Sequence, residues 1–359
     1  MDDIHDYLLK NKTIIDKSIS KYIPKKIDAD YMKWLGGPPQ YKYDIDPIQK
    51  CVIDPAWDLL DRGGKRWRPS FFMLVAESLG KKADKLVDFA VISEIIHNGT
   101  LIIDDVEDGA DKRRNKPSIH SIYGTDVAIN AGNAMYYIPL KIISSNSESL
   151  GPAMTAHAYE AYVQEMINLS LGQAMDIWWH KGKNDNITPE EYLQMCSYKT
   201  GTLARLAARL AVILSGGTKE QEDKISKLTE AVGIAFQIQD DILDITSADR
   251  EKFGKSFGND IHEGKRTLMV IHALNNADTR GHPHDKKRLI EILNNHTRDE
   301  KEINEAIAII NKYDSVQYAK ETAKKVIKDA WSEADPVLAE SRSKSILRKF
   351  TEYIVNREI

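Results

Sequence analysis

Two short acidic runs carry the most specific chemistry in this chain: Asp104-Asp105-Val106-Glu107-Asp108 and Asp240-Asp241-Ile242-Leu243-Asp244. Both read D-D-x-x-D. The first follows Leu101-Ile102-Ile103 and the second follows Phe236-Gln237-Ile238-Gln239. Residues four apart share a helix face, which puts Asp104 with Asp108 and Asp240 with Asp244. Two carboxylates about 4 Å apart repel by about 4 kcal/mol at an effective dielectric of about 20, so a helix holds such a pair with a cation. Magnesium suits the donors: it is hard, and it takes one or two carboxylates and completes its shell with phosphate oxygens and water. No His–Cys cluster competes for a softer metal. A single D-D-x-x-D reads equally well as a solvated acidic helix end; the pair does not.

Cations alternate with these carboxylates along the chain. Gly63-Gly64-Lys65-Arg66-Trp67-Arg68-Pro69 sets two glycines and three cations before a helix start, where bare backbone N–H groups and the helix dipole favour an anion. Arginine adds a planar fork for phosphate oxygens and lysine a point charge. Arg113 and Arg114 follow the first acidic run, Lys199-Thr200-Gly201 lies between the two, and Gly254-Lys255-Ser256 and Gly264-Lys265-Arg266-Thr267 follow the second. The pattern fits a metal-bridged diphosphate gripped by carboxylates and cations, with a second diphosphate held by basic groups alone.

The elements that must position these groups are helical. Pro69 opens and Gly80 closes an apolar stretch over Ser70–Leu79. Residues 84–104, 125–145, 151–180, 189–215 and 220–246 repeat the same apolar texture. Ala323, Val326, Ala330 and Ala334, and then Leu347, Phe350 and Ile354, recur at helical spacing. Alternating β-branched runs are missing, which predicts an all-α fold with little or no sheet. Breaks fall at 36–48, 109–118, 181–188, 214–218, 247–265 and 275–286, the first and last reading as surface loops. None is a domain linker, so residues 1–359 read as one domain, with a motif core at about 55–275 and C-terminal helices over 286–359.

Composition sets the outer bounds. A formal charge of −4 excludes nucleic-acid binding by bulk attraction. The two cysteines, Cys51 and Cys196, cannot build a disulfide framework and fit a reducing cytoplasm. The charged N-terminus has no signal-peptide core, and no apolar run is long enough to span a membrane.

Taken together, GGKRWRP, DDVED with two arginines downstream, KTG, FQIQDDILD and GKSFGNDIHEGK resemble the trans-prenyl diphosphate synthase family, most closely its geranylgeranyl diphosphate synthases. The resemblance spans roughly residues 55–275. It implies a bundle of many mostly antiparallel helices around a deep central cavity, a homodimer, and three magnesium ions bridging the aspartate motifs through an allylic diphosphate. The implied substrates are isopentenyl diphosphate and the dimethylallyl, geranyl and farnesyl diphosphates.

Carried over by position, Lys65, Arg68, His97 and Arg114 form the isopentenyl diphosphate pocket. Asp104, Asp108, Asp240 and Asp244 resemble the family's metal ligands, with Asp105 and Asp241 beside them in the implied catalytic set. Arg113, Lys199, Thr200, Gln237, Lys255 and Lys265 match positions that hold the allylic diphosphate in the family, and Gln173 and Asp176 match a supporting pair near the metals. Without the resemblance, His97 is a satisfied core histidine. His120 and His262 read as structural.

Residues four and five before the first aspartate help set the cavity floor in this family. Here they are Thr100 and Gly99, both small, which argues against a fifteen-carbon stop. The next candidates are Tyr136 and Tyr137, with Ser170 small where related enzymes often carry more bulk. The expectation is a twenty-carbon product, with twenty-five or thirty carbons as the alternative. A terpene cyclase would not need GGKRWRP or a second DDxxD. A non-catalytic partner subunit would have lost charged motif residues, and none is missing. The C-terminal basic residues that close over the site in the family are only loosely represented, by Arg348, Lys349 and Arg357.

Overall fold

The structure is a computed structural model that describes residues 2–246 and 258–356. Lys255, and with it Gly254-Lys255-Ser256, lies outside the described residues, as does Arg357. The all-α expectation holds: helix dominates, and one two-stranded ribbon pairs Lys112–Arg113 antiparallel with Lys116–Pro117. No helix is long and apolar enough to cross a membrane among the described residues.

The chain packs as two compact units. Within the described residues, the first draws on Met1–Val163, Leu206–Glu222 and Leu338–Leu347, and the second on Gln164–Arg205, Asp223–Val337 and Arg348–Ile359.

In the first unit the central element is the helix Val87–Glu107, which ends in the first acidic motif. Phe89, Ala90, Val91, Ile92, Ile95, Ile96 and Ile102 are buried on it, so it is wrapped on several sides rather than along one stripe. Its neighbour Thr125–Tyr137 crosses it backbone to backbone at Gly99 and Gly132: a Cβ on Gly99 would stand 2.9 Å from the Gly132 carbonyl oxygen and 2.8 Å from the Met135 Cβ. Helix Trp67–Ser78 starts two residues before Pro69. Its cap is Arg66, in the left-handed region at φ 50°.

The second unit is built on Pro189–Cys196, Leu268–Thr279, Pro283–Asn294, Glu300–Lys312 and Ser315–Ala334. It also contains the part of helix Lys219–Thr246 that carries the second acidic motif. On Ser315–Ala334 the buried stripe is Ala319, Ala323, Ile327, Trp331 and Ala334.

Three segments differ from the sequence reading. The break at 275–286 shrinks to residues 280–282, because Ala277 is buried and Asn276 bonds back to the His272 carbonyl at 2.9 Å, extending Leu268–Thr279. Residues 125–145 split after Tyr137 and restart at Leu140, because Pro139 has no N–H to continue the ladder. Residues 189–215 are interrupted by a widened turn, Ser197–Gly201, which carries Lys199 and Thr200.

Candidate active site

In the first unit, Asp104 and Asp108 stand at the end of helix Val87–Glu107, with Asp108 as its C-cap. The intervening aspartate turns the other way. Asp105 is fully buried and accepts from the Arg113 Nε at 2.7 Å, and the Arg113 guanidinium also lies 3.6 Å from Asp104. Burial raises the Asp105 pKa against the pull of Arg113, and the Asp104 charge adds to the rise. Three carboxylates around one guanidinium hold the Arg113 pKa above its ordinary value. Arg62 fixes the ribbon that carries Arg113 by donating to the Arg113 and Pro117 carbonyls at 3.0 and 2.9 Å, and it is itself held by Asp58.

A second group in the same unit is cationic. Arg68 is buried, and its Nε has no hydrogen-bond partner among the described residues. Burial, then the nearby Arg114, pushes its pKa down to about 10. Burial followed by Arg68, Arg114, Arg113 and Arg66 holds His97 well below the ordinary histidine value, so it is neutral near pH 7. Arg114 donates to the Leu59 carbonyl at 3.1 Å and to that of Gly63, and it lies against Gly64, where a Cβ would come within 3.6 Å of its guanidinium. Lys65 is exposed beside them. Crowded cations with lowered pKa values form a site that an anion stabilises.

Arg66, the third cation of the GGKRWRP run, points away from this group. It is buried and donates to Asp16 at 2.8 Å, Glu94 at 3.0 Å and the Leu60 carbonyl at 3.1 Å. Its role is to hold the left-handed turn that presents Lys65 and Arg68.

In the second unit, the Lys199–Gly201 turn is gripped by two bare helix surfaces. A Cβ on Gly172 would lie 2.3 Å from the Lys199 backbone nitrogen, and one on Gly233 would lie 2.5 Å from the Gly201 Cα. Arg205 anchors the start of the turn by donating to the Ser197 carbonyl and hydroxyl, both at 3.0 Å. It also binds Glu165 at 2.8 Å and Glu230 at 2.9 Å. The Lys199 ammonium reaches Asp176 at 2.5 Å. Gln173 lies one turn before Asp176 on helix Pro152–His180.

Around the second motif the carboxylates crowd. Asp241 is buried and accepts from the Tyr192 hydroxyl and the Gln237 amide, each at 2.7 Å. Burial, then the charge of Asp260, raises its pKa to about 8, and Asp240 adds to the rise. The backbone N–H of Asp260 donates to Asp244 at 3.0 Å, and the Lys265 ammonium lies on Glu263 and 3.6 Å from Asp260. Among the described residues, no three acidic, histidine or cysteine side chains close into a metal cage by themselves. The oxygen-only donors and their mutual repulsion fit magnesium, whose remaining positions go to water and phosphate oxygens.

Residues 49–310 match the family model for polyprenyl synthetase. The chain belongs to the polyprenyl synthetase family. It is a prenyltransferase that elongates prenyl chains. It is 34% identical over 315 residues to the short chain isoprenyl diphosphate synthase of Methanothermobacter thermautotrophicus, covering 88% of this chain and 92% of that one. Its identity with the geranylgeranyl diphosphate synthase of Methanosarcina mazei is 32% over 300 residues, 84% and 88% of the two chains. The crystal structure of geranylgeranyl pyrophosphate synthetase from Pyrococcus horikoshii superposes with a TM-score of 0.85 at 32% identity, covering 99% of each chain.

Within this family frame, several residues that shape the site were not singled out by the sequence reading. Arg62 holds the ribbon that carries Arg113, Glu94 holds Arg66, Tyr192 and Asp260 brace the second motif, and Arg205 anchors the Ser197–Gly201 turn. Glu94 stands three residues before His97, a helical spacing visible in the sequence. Tyr192 and Arg205 carried no such signal. Of the chain-length candidates, Gly99 owes its smallness to the Gly132 crossing, and the Tyr136 ring would lie 3.3 Å from a Cβ placed on it. Tyr137 is 67% exposed, Ser170 is exposed, and the Thr100 hydroxyl turns back to the His97 carbonyl at 2.7 Å.

Proposed function

We propose that this chain, as a homodimer, joins isopentenyl diphosphate head to tail to dimethylallyl, geranyl and farnesyl diphosphates and stops at twenty carbons, geranylgeranyl diphosphate. The observation that carries this reading is a pair of opposite charge imbalances: cations crowded at Arg68 and Arg114 around a neutral His97, and carboxylates crowded at Asp240, Asp241 and Asp260. One calls for a bare diphosphate and the other for a diphosphate that arrives with metal. A cyclase, which ionises a single diphosphate, has no use for the first.

In this reading Asp104, Asp108, Asp240 and Asp244 hold magnesium, three ions in all. When bound, magnesium supplies Lewis-acid stabilisation of the departing diphosphate. Arg113, Lys199, Thr200, Gln237 and Lys265 hold the allylic diphosphate, with Asp176 and Gln173 behind Lys199, and Lys255 belongs with this set by its place in the sequence. Lys65, Arg68, Arg114 and neutral His97 hold isopentenyl diphosphate. The allylic carbon–oxygen bond breaks and its electron pair leaves on diphosphate. The isopentenyl double bond then attacks the allylic cation to form the new carbon–carbon bond. The proton lost to form the product's double bond goes to the released diphosphate. The cations around the leaving group act because they are fixed before charge develops.

Tyr136 is the proposed floor. Its ring packs on helix Val87–Glu107 at Gly99, and burial together with the nearby Glu107 and Asp104 charges raises its pKa, so the phenol stays neutral in the path below the first motif. A row of exposed apolar side chains on helix Pro152–His180 is the proposed dimer surface: Val163, Ile167, Leu171 and Trp178 are 53%, 50%, 49% and 57% exposed at near-helical spacing. One experiment tests both points: the protein is separated by mass, and each fraction is given magnesium, labelled isopentenyl diphosphate and one of the three primers. The reading expects a single twenty-carbon alcohol after phosphate removal, from the fraction of two-chain mass. Longer products would remove Tyr136 as the floor, and activity confined to single chains would remove the dimer.

A further inference from the structure

One part-buried chain of hydrogen bonds in the second unit links the proposed allylic-diphosphate group to a buried residue outside it. The Thr200 hydroxyl donates to the Gln237 amide oxygen at 2.9 Å. The Gln237 amide nitrogen donates to one oxygen of Asp241 at 2.7 Å, and the Tyr192 hydroxyl donates to the other at 2.7 Å. Tyr192 is 1% exposed and also bonds the Cys196 thiol, directly before the Ser197–Gly201 turn. Every donor in the chain points towards Asp241. The carboxylate therefore dictates which end of the Gln237 amide faces Thr200, and so which way the Thr200 hydroxyl is turned. Among the described residues, Tyr192 and Gln237 are the two side chains that donate to the carboxylate itself.

We propose that Tyr192 is a positioning residue for the allylic diphosphate: through Asp241 and Gln237 it fixes the direction of the Thr200 hydroxyl. This inference rests on the reading of Thr200 and Gln237 as allylic-diphosphate contacts. Removing one donor to a buried carboxylate frees it to rotate, and the amide follows. The effect is expected to fall on one substrate, because the proposed isopentenyl diphosphate contacts Lys65, Arg68, Arg114 and His97 belong to the first unit, whereas Tyr192, Thr200, Gln237 and Asp241 belong to the second.

The test is Tyr192→Phe, which removes one oxygen and keeps the ring, measured beside Thr200→Val. Steady-state kinetics are taken with geranyl diphosphate varied at saturating isopentenyl diphosphate, and then the reverse. The expected result is an allylic KM raised about tenfold in both variants, the scale of one hydrogen bond to a charged group. The isopentenyl diphosphate KM and the thermal midpoint of Tyr192→Phe stay close to those of the parent. If Thr200→Val raises the allylic KM and Tyr192→Phe does not, this inference falls and the underlying reading stands. If Thr200→Val leaves the allylic KM unchanged, the reading falls and takes the inference with it. An equal rise in both KM values, or a lowered thermal midpoint, would make Tyr192 a packing residue only.

Discussion

Asp104→Ala and Asp240→Ala each lose about a thousandfold or more in kcat while far-ultraviolet circular dichroism keeps its helical signature. In the proposed reading each substitution removes one oxygen donor to magnesium, whose Lewis-acid stabilisation of the departing diphosphate would be worth several kcal/mol, made mainly in the transition state. The helices survive because neither side chain is part of the apolar packing. Asp104 lies at the last turn of Val87–Glu107 and is part-exposed, and removing one of several crowded carboxylates relieves repulsion in the metal-free protein. A modest gain in thermal midpoint without magnesium, together with the lost turnover, is the combined signature. Near-normal activity in either variant would overturn the metal assignment.

Gly172→Ala is expected to cost about a hundredfold in kcat/KM for the allylic substrate, although no functional group is removed. The added Cβ would lie 2.3 Å from the Lys199 backbone nitrogen and 2.7 Å from the Tyr198 carbonyl carbon. Both are backbone atoms that no rotamer change can move aside. The turn is held from the other side by the Gly201–Gly233 contact, and Arg205 ties its first residue in place. The strain must therefore displace Lys199 relative to Asp176. A shift of about 1 Å at a proposed diphosphate contact is enough for an effect of this size, and overpacking adds about 1–3 kcal/mol of destabilisation. Steady-state kinetics paired with a thermal melt check it. Unchanged kinetics would mean that the turn can move as a rigid piece without disturbing the site.

The parts of the site that the sequence made legible are those in which chemistry and spacing coincide. Carboxylates four apart, cations beside paired glycines and a lysine before a glycine each state their own purpose. The helices were legible for the same reason, since apolar spacing repeats along them. Direction was not legible. Nothing in GGKRWRP distinguishes Arg66, which turns inward to Asp16 and Glu94, from Arg68, which stands among cations, because the left-handed turn at Arg66 depends on partners 50 and 28 residues away. The second aspartate of each motif has the same property: Asp105 and Asp241 look like their neighbours in sequence, yet the helix turns them into the protein. Gly99 shows a further limit. A missing side chain reads in sequence as open space, whereas the fold uses it to let Gly132 approach. Tyr192 and Arg205 were invisible because a lone tyrosine or arginine in a helix is ordinary, and only long-range packing makes them struts.

The central claim is that this chain transfers a prenyl group to isopentenyl diphosphate rather than ionising one substrate alone. The most direct test is diphosphate release from farnesyl diphosphate in magnesium, measured with and without isopentenyl diphosphate. Release that depends on isopentenyl diphosphate, one diphosphate per new carbon–carbon bond, is the predicted result. Release at a comparable rate without it, accompanied by a hydrocarbon or alcohol from farnesyl diphosphate alone, would contradict the account.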